Sequence, residues 1–134
     1  METKKRILLV DDEPDFVELI KYRLEVNDYQ VETAGNGKAA LDMLGKGRFD
    51  AVLLDILMPE LDGLEVLKTI RKTDKELPVF MLTAYSDKAK FKLANESGAA
   101  GYIVKTSDLQ KQIENITAIL RLSGKYKPSK TDIS

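Results

Sequence analysis

Ile7-Leu8-Leu9-Val10-Asp11-Asp12-Glu13-Pro14 sets four apolar residues directly against three acids and a proline. The apolar run has strand length, and the proline suits the first turn of a helix. The stretch therefore reads as a strand that empties through an acidic turn into a helix over Pro14 to Val26, where Phe16, Leu19, Ile20 and Leu24 share one stripe. Working outward, four more strand-length runs follow: Gln30-Val31-Glu32-Thr33-Ala34, Ala51-Val52-Leu53-Leu54, Val79-Phe80-Met81-Leu82 and Gly101-Tyr102-Ile103-Val104. Four of the five are nearly continuous in apolar character, as expected of parallel strands covered on both faces, while the more polar second run belongs at an edge.

Helix-period segments fill the gaps. They cover Lys38 to Leu44, stopped by Gly45 and Gly47, then Leu64 to Arg71, Asp87 to Glu96 ending near Gly98, and Ser107 to Leu122 with a capping box from Ser107 and Gln110. Strict strand–helix alternation implies an α/β three-layer sandwich. Right-handed crossovers leave few topologies, and a flavodoxin-like (βα)5 sheet in the order 2-1-3-4-5 suits the length. Residues 1–122 are expected to form one domain. From 123 to 134 Gly, Pro, Ser, Thr and Lys predominate, so that stretch reads as a flexible polar tail or a truncated linker.

Composition narrows the chemistry. The 134 residues are 43% hydrophobic and 32% charged, enough for one buried centre and a charged surface. Lys and Arg total 21 against 22 acids, which gives no basic field for direct nucleic-acid binding. Cysteine is absent, removing disulfides, thiol catalysis and cysteine-based metal sites. Histidine is absent too, so any histidine-borne phosphoryl donor must be another molecule. The first residues run straight into a short strand with no apolar stretch of export or membrane-spanning length, and a cytoplasmic location is expected.

In such sheets ligands bind beyond the carboxyl ends of the strands, where the strand order reverses. The first strand ends in Asp11-Asp12-Glu13, the third in Asp55, the fourth in Thr83 and the fifth in Lys105. Crowded carboxylates repel one another unless a cation sits among them. A three-acid mouth suits Mg²⁺, which takes one or two carboxylates and leaves positions for water and phosphate. Lys105 brings a mobile point charge and Thr83 a hydroxyl toward any anion at Asp55, as phosphoryl transfer requires. Asp55 itself is a carboxylate nucleophile able to form an acyl phosphate. Taken singly, each acid could merely cap a helix or tighten a turn. Their conjunction at four strand ends is what points to a site.

The ordered set Val10-Asp11-Asp12-Glu13, Leu54-Asp55-Ile56-Leu57-Met58-Pro59 with Asp62-Gly63, Leu82-Thr83-Ala84 and Tyr102-Ile103-Val104-Lys105 resembles the receiver domain of two-component response regulators, from residue 5 to about 122. The resemblance implies Asp55 as phosphoacceptor, Asp12 as a direct Mg²⁺ ligand, Asp11 acting mainly through a coordinated water, and the carbonyl of Leu57 as a further ligand. Thr83 and Lys105 would hold the phosphoryl oxygens. It also implies a partner sensor histidine kinase or histidine phosphotransfer protein as donor, and a downstream effector protein or domain. Such a chain catalyses its own phosphorylation and dephosphorylation but is chiefly a signalling switch. Thr83 and Tyr102 would be its switch residues, acting on the face built by the fourth helix, fifth strand and fifth helix. An ordinary half-buried strand aromatic explains Tyr102 equally well.

Two departures from the family pattern stand out. Thr106 follows Lys105, where the family usually has proline after a cis bond; a cis bond before a non-proline costs about 3–4 kcal/mol, so a trans bond is expected. Leu57 and Tyr85 are bulky at positions that tune water access to the acyl phosphate, which implies slow self-dephosphorylation; a Tyr85→Ala variant that lost phosphate no faster would count against this. Three other readings compete with it. A flavin-binding electron carrier lacks its phosphate-cradling Ser/Thr/Gly loop here. An aspartyl phosphatase would resemble its relatives in carrying an acid at the place of Leu57, and a pure interaction module would need none of these residues.

Overall fold

The computed structural model describes residues 4–84 and 88–123. Asp87 of the fourth helical segment, Tyr85 and residues 124–134 of the expected tail lie outside the described residues. The strands are β1 (Arg6–Val10), β2 (Gln30–Ala34), β3 (Ala51–Asp55), β4 (Val79–Thr83) and β5 (Gly101–Val104). They alternate with α1 (Pro14–Val26), α2 (Gly37–Lys46), α3 (Gly63–Thr73), α4 (Lys88–Glu96) and α5 (Leu109–Ser123). All pairings are parallel and the order is β2-β1-β3-β4-β5, as expected. The polar β2 is an edge strand.

Successive strand residues point to opposite faces, so each continuous apolar run feeds two separate cores. Leu8, Val10, Val52, Leu54, Val79 and Met81 pack with Ala40 of α2, Val66, Leu67 and Ile70 of α3, and Ala94 of α4. Ile7, Leu9, Leu53, Phe80, Leu82 and Ile103 pack with Ile20 and Leu24 of α1 and Ile113, Ile116 and Leu120 of α5. Burying one such side chain contributes roughly 1.5–3 kcal/mol. With both faces filled this way, the strand ends are held at one rim with little freedom to move.

Three local details differ from the sequence expectation. Gly45 lies inside α2, and the helix ends one residue before Gly47, whose N–H reaches back to the Met43 carbonyl. Asp108, not Ser107, caps α5, because its carboxylate accepts the Lys111 N–H at 3.1 Å; Gln110 instead bonds Glu114 and Arg23. Helix α3 starts at Gly63, one residue earlier than the apolar stripe suggested. Gly63 has a steric reason to be glycine: a Cβ there would run into the Asp55 carbonyl oxygen and come within 2.8 Å of Ile56 Cα. The Asp62 carboxylate caps this helix through the Glu65 N–H at 3.0 Å. Asp62→Ala is therefore expected to lower stability by about 1 kcal/mol in urea unfolding.

Helix α4 is tied at its exit. Arg71 of α3 donates from Nε (3.0 Å) and a terminal nitrogen (2.8 Å) to the carbonyl of Gly98, which sits at φ +98°, a conformation open to glycine. No cis peptide bond occurs among the described residues, so Lys105–Thr106 is trans.

Candidate functional site

The fold brings the polar residues of β1, β3 and β5 to one rim. Asp11 follows β1 directly; its N–H bonds the Ala34 carbonyl at 3.1 Å and its Oδ1 accepts the Glu13 N–H at 2.9 Å. Asp55 closes β3, with its Oδ1 facing the Leu57 N–H at 3.3 Å. One carboxylate oxygen each from Asp11, Asp12 and Asp55 falls within 4.8 Å of the others. Asp11 and Asp55 are buried, whereas Asp12 is exposed.

Lys105 leaves β5 with its backbone N–H on the Thr83 carbonyl at 2.7 Å. Its Nζ lies 2.7 Å from Asp11 Oδ2, 2.8 Å from Glu13 Oε1 and 3.7 Å from Asp55 Oδ2. The ammonium also sits over the Phe16 ring, 4.5 Å from its centre. Thr83 is fully buried at the end of β4. Leu57 leaves its side chain exposed beside Asp55. Tyr102 is half-buried in β5, with its hydroxyl shielded from solvent and its ring edge-on to Phe91 of α4 at 3.8 Å between centres.

Electrostatics at this rim follow from burial. Desolvation, then the neighbouring Asp11 charge, push the Asp55 carboxyl from 3.8 up to about 7, against the pull of Lys105 and the Leu57 N–H. Asp11 is also raised, chiefly by burial, which its bond to Lys105 only partly offsets. Burial works against the Lys105 ammonium, yet its bonds to Asp11 and Glu13 prevail and leave its pKa raised. A buried acid pair of this kind is poorly balanced by one ammonium. The donor set is all oxygen, and it suits a hard divalent cation.

The sequence reading named every carboxylate of the cluster and the lysine facing it. It did not find Glu13 as a partner of Lys105, nor Phe16 beneath the ammonium. Glu13 was visible as part of the acidic turn, but nothing local links it to a lysine 92 positions away. Among the described residues no helix is long and apolar enough to cross a membrane.

Comparison with known proteins agrees with this geometry. The response regulator receiver domain family matches residues 7–117. The chain is 40% identical over 116 residues to the response regulator MprA of Mycolicibacterium vanbaalenii, covering 87% of this chain and 50% of that one. It is also 40% identical over 125 residues to a probable transcriptional regulator, ycf27, of Guillardia theta, covering 93% of this chain and 49% of that one. The chain thus spans about half the length of the curated relatives it matches. Among solved structures it is similar to the response regulator TrrA of Thermotoga maritima in complex with Mg²⁺–BeF (40% identity, TM-score 0.76, covering 86% of this chain and 98% of that one). It is also similar to the chemotaxis protein CheY4 of Vibrio cholerae (29% identity, TM-score 0.81, covering 87% and 99%). With the sheet order, the acidic rim and a match over most of its length in agreement, the chain belongs to the response regulator receiver domain family of two-component signalling.

Proposed function

We propose that Asp55 accepts a phosphoryl group from a phosphohistidine on a partner kinase or phosphotransfer protein, in a Mg²⁺-dependent reaction. The observation that carries this reading is the meeting of Asp11, Asp12 and Asp55 within 4.8 Å, with the Lys105 ammonium 3.7 Å from Asp55. Asp12 and Asp55 would hold the cation directly, the Leu57 carbonyl would add a ligand, and Asp11 would act through water. The cation supplies charge neutralisation for the acids and the incoming phosphate. A similar domain, TrrA, was solved in complex with Mg²⁺–BeF, which supports this choice of metal.

The remaining work falls to the chain itself. Asp55 attacks phosphorus through a carboxylate oxygen, and the P–O or P–N bond to the donor breaks as the acyl phosphate forms. Lys105 and Thr83 hold the phosphoryl oxygens, and the wall of buried residues strengthens both contacts. Pulling Lys105 toward the new phosphate weakens its hold on Asp11 and Glu13. Thr83 and Tyr102 then carry the change to the face of α4, β5 and α5, where an effector protein or domain docks. Residues 1–122 would act as this unit, with 123–134 as its tail or linker.

The test is intact mass after incubation with acetyl phosphate. One phosphoryl mass, labile to hydroxylamine, is expected with Mg²⁺ and none with EDTA. Uptake that ignored the metal, or a hydroxylamine-stable adduct, would defeat the reading.

A further inference from the structure

Gln112 occupies a core position of α5 at 1% exposure, beside Ile113 and one turn before Ile116. Its Oε1 accepts the Thr106 N–H at 2.8 Å, whereas its Nε2 is buried with no hydrogen-bond partner among the described residues. A half-satisfied buried amide is a cost that an apolar side chain of similar size would avoid. Stability therefore does not explain a glutamine here. What it supplies is a fixed acceptor for the backbone immediately after Lys105.

The other side of Lys105 is held as well, since its own N–H bonds the Thr83 carbonyl at 2.7 Å. One grip comes from β4 and the other from α5. Between them a flexible four-carbon stem must deliver its ammonium to three carboxylates, and such a stem loses much rotamer freedom when it is fixed. Anchoring the backbone on both sides shortens the arc over which the ammonium can wander.

We propose that Gln112 is a positioning residue for Lys105, holding the following peptide through the Thr106 N–H so that the ammonium stays within reach of Asp55. The proposal rests on the reading of Lys105 as the cation that holds the phosphoryl group. It also makes α5 a direct structural neighbour of the phosphate site, joined to it by one hydrogen bond.

The experiment compares initial rates of phosphorylation of the full 134-residue chain by acetyl phosphate and Mg²⁺, read by intact mass, with thermal melting of each variant. Gln112→Met, nearly isosteric and without the amide, is expected to melt close to wild type, because relief of the unpaired Nε2 offsets the Thr106 N–H left without its acceptor, yet to phosphorylate roughly three- to tenfold more slowly, the rate equivalent of one hydrogen bond. The decisive arm is Lys105→Ala, in which Gln112→Met should have no further effect. A wild-type rate for Gln112→Met, a loss that tracks lowered melting, or a full loss persisting in the Lys105→Ala background would each overturn the proposal. A wild-type rate for Lys105→Ala alone would instead locate the failure in the reading of Lys105, and the proposal would fall with it.

Discussion

An Asp55→Asn variant is expected to take up no phosphate and, free of metal at pH 8, to be more stable than the wild type. Both outcomes follow from one buried carboxyl. The amide cannot attack phosphorus, so the mass gain vanishes. Stability changes because the folded chain raises the Asp55 pKa to about 7, through burial and the nearby Asp11 charge, against an unfolded value near 3.8. The folded state thus binds the proton more tightly, and this contribution is fully present below about pH 4 and is lost as pH rises through 7. Each tenfold change in proton affinity is worth about 1.4 kcal/mol, which caps the effect near ~4 kcal/mol. Coupling among the acids makes roughly 1–3 kcal/mol the expected gain for the variant at pH 8. Urea unfolding between pH 5 and 8 in EDTA checks it: wild type should lose stability across the range and Asp55→Asn should lose much less. Adding Mg²⁺ at pH 8 should restore the wild type by mass action. A wild-type chain that gained stability on going from pH 5 to 8 in EDTA would contradict the argument.

Lys105→Ala is expected to slow phosphorylation by about 100-fold, the scale seen when one preorganised charge-stabilising donor is removed from a site. The ammonium is the one cation near Asp55 in the described structure, 3.7 Å from its Oδ2, and it is largely shielded from water by its surroundings. Mg²⁺ affinity should move the other way. Lys105 offsets part of the charge of Asp11 and Asp55, so its loss leaves more negative potential for the cation, and calorimetric titration should show binding at least as tight as in wild type. Lys105→Arg keeps the charge but replaces a compact ammonium by a planar fork, and should recover only part of the rate. Loss of uptake together with loss of Mg²⁺ binding would mean instead that the rim had come apart.

Strand positions and sheet order were legible because they are written in short apolar runs, each needing no knowledge of distant residues. Val10-Asp11 and Leu54-Asp55 mark the points where such a run meets a charge, and those points became the rim. The clustered carboxylates of Asp11, Asp12 and Asp55 were legible for the same reason. Helix ends were less so: Gly45 resembles a terminator, yet it lies within α2, since intrinsic preference is a weak term beside packing. Ser107 and Asp108 are both good caps, and only the backbone path out of β5 decides for Asp108. Glu13 and Gln112 were not legible as parts of the site at all. Their roles depend on Lys105 and Thr106 arriving from another part of the chain, and a carboxylate in a turn or an amide on a helix carries no local mark of that meeting.

The paired bonds from Arg71 to the Gly98 carbonyl have a mechanical consequence for α4. A helix of nine residues is a rod of about 13 Å, and this one is pinned to its neighbour just past its trailing end. Pulled from the leading end, such a rod pivots about its fulcrum: the first turn sweeps widest and the last barely travels. Any displacement of the leading end would therefore be largest in the first turn, next to Phe91, whose ring touches that of Tyr102.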